Sequence, residues 1–356
     1  MSVFDCSDFD RHELVTFACD PESGLRAVIA VHNTSRGPAL GGCRMWPYAS
    51  EGEAVRDVLR LSRGMTYKAA LAGLPFGGGK SVIIGDPARD KSPALFRAMG
   101  RAVESLGGRY HVAEDVGITV ADVAHMGEAT AHTAGIAADG TSADSGDPSP
   151  ATAYGVYMGI KAAVKHKLGQ DSLKDVHVAV QGAGAVGAKL CRHLVAAGAE
   201  VTLADIDAAR ARRVAANLDL HTAPSDAILD IPAAVFAPCA LGAALDDASI
   251  PRLRAGIVAG AANNQLAEAR HGAALQARGI LYAPDYVINA GGIIHISHEG
   301  AAYDRARAYA HVARIHDTLL TIFQHAERAG VPTSEAADRL AEAHFTHPTP
   351  HPAQAA

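Results

Sequence analysis

The sequence has no cysteines at metal- or redox-motif spacing. Its five, Cys6, Cys19, Cys43, Cys191 and Cys239, are widely separated and include no CxxC. An odd, scattered set argues against a disulfide scaffold and for reduced thiols in the cytoplasm. No apolar run reaches the roughly 18 residues needed to cross a bilayer. Positive charge is not in excess either. With a formal net charge of −6 and a pI near 6.3, the chain lacks the basic character expected for a nucleic-acid or anionic-membrane partner. The opening MSVFDCSDFDRHE is acidic and polar, so no signal peptide is expected there.

A nucleotide-triphosphate cradle is also missing. LPFGGGKSVII (74–84) ends a glycine run on Lys-Ser, but that motif needs four residues between its first glycine and Gly-Lys. Five separate Gly73 from Gly79. Lys80 therefore needs another explanation.

What is present suits two globular domains. The chain has 356 residues, 49% of them apolar and only 20% charged, which at about 100–200 residues per domain allows two cores. Residues 1–140 read as a catalytic and oligomerisation domain of mixed strands and helices, with Leu25–Val31 and Ser81–Ile84 as buried strands. NTSRGPALGG (33–42) reads as a turn, and the glycines before Lys80 as a loop that lets substrate and backbone crowd around that lysine. A polar stretch, ADGTSADSGDPSP (138–150), reads as a linker. Beyond it, strands and helices alternate through residues 141–330, which predicts parallel βαβ units in a doubly wound Rossmann-type sheet. Residues 303–330 read as one long amphipathic helix, and 331–356 as a helix with a frayed tail. The histidines near that end (His344, His347, His351) are read as part of the tail, and no metal site is expected.

Gly182-Ala183-Gly184-Ala185-Val186-Gly187 follows a predicted strand, opens a helix, and has Asp205 at the end of the next strand. That is the full setting of a dinucleotide fingerprint. Gly182 makes the turn, Gly184 admits the pyrophosphate, and Gly187 lets helix meet strand. An aspartate for the ribose hydroxyls predicts NAD rather than NADP. Loops at later strand ends, including Ala237, Pro238, Cys239, Ala261, Asn263 and Asn289, should line the same crevice.

Lys68 in MTYK, Lys80 in GGGK and Asp115 in AEDVG lie among small or apolar residues. Poor solvation disfavours a lysine's charged form, and a neighbouring Lys68 would add to the effect, making Lys80 a candidate general base.

Several segments together resemble the glutamate/leucine/phenylalanine/valine dehydrogenases. They are LPFGGGKSVIIGDP (74–87), GPALGGCRMW (37–46), RGMTYK (63–68), AEDVG (113–117), DPSPATAYGVY (147–157), FAPCALGA (236–243) and YAPDYVINAGG (282–292). The resemblance spans roughly residues 10–330 and is strongest to the leucine enzymes. It implies NAD-dependent, reversible oxidative deamination of L-leucine and other branched-chain amino acids, in a cleft between two domains. It further implies that Lys68 holds the substrate carboxylate with the Gly42 backbone and Asn263, that Lys80 activates water, and that Asp115 shuttles protons. Thr152 and Asn289 would meet the nicotinamide. Leu40, Ala113, Ile293 and Ile296 would line an apolar side-chain pocket that offers a glutamate no cation. A homo-oligomer is expected, with a dimer as the minimum and an octamer as the larger alternative. A phenylalanine or tryptophan dehydrogenase, or a silent NAD-binding sensor, are the alternatives.

Overall fold

The computed structural model describes residues 3–136, 147–240, 242, 244–299 and 303–346. Residues 137–146, most of the expected linker, lie outside it, as do Leu241, Ala243, His347 and His351. The chain divides into two compact units. One holds the described residues up to 136 with Glu299 and 341–346. The other holds those of 147–298 and 303–340.

The first unit runs β1 (Leu14–Asp20), β2 (Leu25–Asn33), β3 (Ala39–Trp46), α1 (Glu51–Leu71), β4 (Gly77–Ile84), α2 (Pro93–Glu104), β5 (Tyr110–Glu114) and α3 (Val120–Gly127). Its sheet order is β1-β2-β4-β3-β5. β4 pairs antiparallel with β2 and parallel with β3. Ser50 caps α1 by accepting a hydrogen bond from the Glu53 amide. Val55, Val58 and Leu59 of that helix pack on Val28, Ala30 and Val82. The opposite face of the sheet buries Ile29, Val31 and Ile83 against Phe96, Met99 and Met126. Each such side chain contributes about 1.5–3 kcal/mol.

The glycine runs expected as a turn and a loop are strand. Ala39–Gly42 and Gly77–Gly79 lie inside strands β3 and β4. They are glycine because the neighbours leave no room for a side chain. A Cβ on Gly78 would overlap the Thr66 amide nitrogen of α1, and one on Gly41 would overlap the Gly79 carbonyl. A Cβ on Gly79 would stand 2.7 Å from the Tyr110 ring.

The second unit runs α4 (Ser149–Leu168), β6 (His177–Gln181), α5 (Ala185–Ala196), β7 (Glu200–Ala204), α6 (Ala208–Leu218), β8 (His221–Thr222) and β9 (Val235–Pro238). It continues with α7 (Ser249–Arg252), β10 (Ile257–Val258), α8 (Arg270–Ala277), β11 (Leu281–Tyr282), α9 (Asp285–Ile288) and α10 (Gly291–Ser297). The last helices are α11 (Arg305–Ala313), α12 (Ile315–Ala329) and α13 (Thr333–Thr346), of which residues 341–346 belong to the first unit. The sheet order is β11-β10-β9-β6-β7-β8, with every pair parallel. This is the doubly wound arrangement expected from the sequence, with its order reversing between β6 and β9. The single helix expected over 303–330 is two. Arg314 bonds back only three residues, to His311, and this tighter turn separates α11 from α12. The apolar stripe of Val312, Ile315, Leu319 and Phe323 is buried all the same. Among the described residues, no helix is long and apolar enough to cross a membrane.

Beneath α1 lies a buried imidazole pair. His32 Nδ1 is 2.8 Å from Thr66 Oγ1, and His12 Nε2 is 3.1 Å from Ser62 Oγ. The two rings meet edge to face at 4.9 Å, and Phe345 closes over His32. Burial, with His12 alongside, pushes His32 down from 6.5 to about 4.

Two outcomes follow for stability. The substitution Gly78→Ala should cost at least the about 1–3 kcal/mol typical of overpacking, because the clash is with backbone; urea midpoints check it. Acid should also weaken the first unit. The unfolded chain binds protons near pH 6.5 while folded His32 waits until about 4. Stability therefore falls as pH drops through that window, by about 3 kcal/mol. Denaturation at pH 7 and pH 4.5 should show it, and His32→Asn should flatten the slope.

Candidate active site

In the first unit, Lys80 occupies the middle of β4 and is 4% exposed. Its surroundings are not only apolar, as the sequence suggested. Its Nζ lies 3.1 Å from Asp115 Oδ2, just past the end of β5. Arg44 Nε of β3 donates to the same oxygen at 2.9 Å. Burial raises the proton affinity of Asp115, but Lys80 and Arg44 outweigh it and hold the carboxyl below its ordinary range. Arg44 also donates to Asp57 Oδ2 on α1 at 3.0 Å, and the Tyr48 hydroxyl donates to that oxygen at 2.6 Å.

Sequence reading missed Arg44, Asp57 and Tyr48. A signal was available: a lone arginine in the apolar strand ALGGCRMW must find a carboxylate if it is buried.

Gly42 stands beside the acid, since a Cβ there would be 2.7 Å from Asp115 Cβ. The buried Tyr110 hydroxyl donates to the Gly41 carbonyl at 2.8 Å, fixing the strand that carries Gly42. Leu40 and Ala113 are buried on β3 and β5, and Gly42 pairs with Ala113 in register. Lys68 lies on α1, three residues beyond Met65, and so shares its helix face. Met65 Cγ is 3.4 Å from where a Gly41 Cβ would stand.

In the second unit the fingerprint glycines separate by cause. Gly182 has a φ of +108°, and a Cβ there would lie 2.8 Å from the Cys239 carbonyl carbon. A Cβ on Gly187 would overlap the Gly182 carbonyl. Gly184 is different: nothing lies within 4 Å of its would-be Cβ. Packing does not demand this glycine, but a ligand approaching the backbone would. Helix α5 starts here with Ala185 and Val186, its N-terminus uncapped by any side chain, which leaves amides and the helix dipole for an anion. Asp205 accepts hydrogen bonds from the Ala183 amide at 2.7 Å and the Asp207 amide at 2.8 Å. Arg210 stands 3.7 Å away.

Ala237 and Pro238 end β9, and the Cys239 amide bonds Gln181 at 2.7 Å. Asn289 donates to the Ala261 carbonyl at 3.1 Å and to Asn263 Oδ1 at 2.7 Å. Its own Oδ1 is buried with no protein donor. An unsatisfied acceptor of this kind fits a carboxamide N–H such as the nicotinamide's. Thr152, in the first turn of α4, lies under Gly292, where a Cβ would be 2.8 Å from its Oγ1. Ile293 is buried and Ile296 half-buried on α10. The arrangement fits a dinucleotide.

The model for the Glu/Leu/Phe/Val dehydrogenase dimerisation domain matches residues 11–132. The Glutamate/Leucine/Phenylalanine/Valine dehydrogenase model matches 145–209 and 203–345. The chain belongs to this dehydrogenase family. It is 51% identical to a leucine dehydrogenase of Thermoactinomyces intermedius, over 96% of this chain and 93% of that one. A valine dehydrogenase of Streptomyces coelicolor is 47% identical, over 97% and 95%. The crystal structure of L-tryptophan dehydrogenase from Nostoc punctiforme superposes with a TM-score of 0.82 at 43% identity, covering 94% and 96%.

The two kinds of glycine are separable by substitution. Gly184→Ala should leave the thermal melting temperature unchanged yet weaken NADH binding about tenfold or more, read by NADH fluorescence. Gly182→Ala should lower the melting temperature itself.

Proposed function

We propose that this amino-acid dehydrogenase carries out the NAD-dependent, reversible oxidative deamination of L-leucine and other branched-chain L-amino acids. The products are the 2-oxo acid, ammonia and NADH. The Lys80–Asp115 pair carries the reading: a buried amine touching a partly buried, ionised carboxylate beside Gly42. Similarity to leucine dehydrogenases along almost the whole chain supports leucine. The apolar character of Leu40, Ala113, Ile293 and Ile296 supports an aliphatic side chain over a γ-carboxylate. Asp205 favours NAD, since its carboxylate accepts ribose hydroxyls and repels a 2′-phosphate. The acting form is a homo-oligomer of at least two chains, in keeping with the dimerisation-domain match.

In the forward direction Asp115 takes a proton from the substrate ammonium. The chemistry NAD supplies is acceptance of the α-hydrogen as hydride. Lys80, acting in its neutral form after giving up its own proton to solvent, then removes a proton from the water that adds to the resulting imine carbon. Asp115 returns a proton to the nitrogen and then takes up the proton of the added hydroxyl as the C–N bond breaks, so ammonia leaves and the 2-oxo acid remains. Lys68 neutralises the α-carboxylate, and the Gly42 amide orients it. Proton exchange between Lys80 and Asp115 needs no intervening group across 3.1 Å.

Lys80→Ala should cut NADH production by about a hundredfold or more while NADH fluorescence still reports binding. Undiminished turnover would remove Lys80 from the mechanism. Initial rates on leucine, valine, isoleucine, phenylalanine and tryptophan test the substrate. The aliphatic three should fall within the about 10–200-fold range that one methylene can discriminate. An aromatic preference would replace this reading with that of a phenylalanine or tryptophan dehydrogenase.

A further inference from the structure

Asp115 receives both of its cations on one oxygen. Arg44 Nε is 2.9 Å and Lys80 Nζ 3.1 Å from Oδ2. The guanidinium is itself braced, because Nη1 donates to Asp57 Oδ2, which also accepts from the Tyr48 hydroxyl. Four elements of the first unit are tied together in this way: β3 through Arg44, α1 through Asp57, β4 through Lys80, and the end of β5 through Asp115. All four charged side chains are a quarter exposed or less.

Such a network is a poor device for stability, since apolar residues of similar volume commonly serve as well or better. It is a good device for orientation. An arginine fork donates in two directions from a rigid plane, whereas a lysine ammonium is a single point at the end of a flexible stem.

We propose that Arg44 is a positioning residue for the reaction. Its fork, braced on Asp57, holds Asp115 by Oδ2 and leaves Oδ1 as the oxygen that exchanges the proton with the substrate nitrogen. The step is a simple transfer: the N–H bond of the substrate ammonium breaks, an O–H bond forms at Oδ1, and the carboxylate becomes a carboxyl. This inference rests on the proton-carrying role given to Asp115 above.

The test is the pH dependence of kcat/KM for deamination in the full-length enzyme. Arg44→Gln should move the acid limb to higher pH by about one unit or more, because an adjacent arginine lowers a carboxyl by about that amount. It should also cut kcat about tenfold or more with KM for NAD unchanged. Arg44→Lys keeps the positive charge both aspartates need, so it covers the case in which the glutamine variant fails to fold. An ammonium has no rigid fork with which to hold Asp57 and Asp115 in fixed directions together. The lysine variant should therefore move the limb the same way by less and still lose kcat. A purely structural role would lower the melting temperature and leave the limb in place. A folded Arg44→Lys enzyme with the parent's kcat and profile, or a folded Arg44→Gln enzyme with an unmoved limb, overturns the proposal. Asp115→Asn separates the two levels, since near-parent turnover there would overturn the proton-carrying role itself.

Discussion

Backbone touches backbone where β3, β4 and α1 meet, and the first unit's chemistry depends on that contact. Gly41 lies against the Gly79 carbonyl, and Gly78 against the Thr66 amide. Any side chain at these points would push the helix off the sheet or the strands apart. Lys80 follows Gly78 by two residues, so its side chain leaves the strand on the same face, toward α1. The lysine is therefore held by a strand paired on both edges, with β2 on one side and β3 on the other. Rigid elements place reacting groups more accurately than loops do.

The second unit uses the same residue type for two purposes. Gly182 and Gly187 are dictated by neighbouring protein atoms, while Gly184 has free space above it. Electrostatics divide similarly. The first unit gathers positive charge around one carboxylate, and the second presents uncapped amides of α5 with an aspartate nearby. One unit is suited to holding and moving protons, the other to receiving a phosphate-bearing cofactor.

Much of this was legible in the chain. The alternation of strands and helices after residue 147 marks the parallel sheet because hydrophobic period reports element type directly. Lys80 and Asp115 stood out as charges among small residues. Gly77–Gly79 and Ala39–Gly42 misled, because glycine signals a turn in local terms. Here it records a close approach by Thr66, Tyr110 and a neighbouring strand, all distant in sequence. Arg44 was missed for a related reason, since its partners Asp57 and Asp115 lie 13 and 71 residues away. The break at Arg314 interrupts an otherwise continuous apolar stripe, so periodicity alone could not reveal it.

The end of α13 has a consequence for how the protein is made. Phe345 packs on Tyr67 and His32, Glu342 accepts from the Tyr67 hydroxyl at 2.7 Å, and the Phe345 carbonyl accepts from Ser35. These contacts join residues 275 and 310 positions apart. During synthesis, the β-strands and helices of the first unit emerge and pair early, yet the pocket over His32 stays open to water. It closes only when residues 275 to 310 positions further along have left the ribosome. The first unit to begin folding is thus completed by residues translated after the second unit.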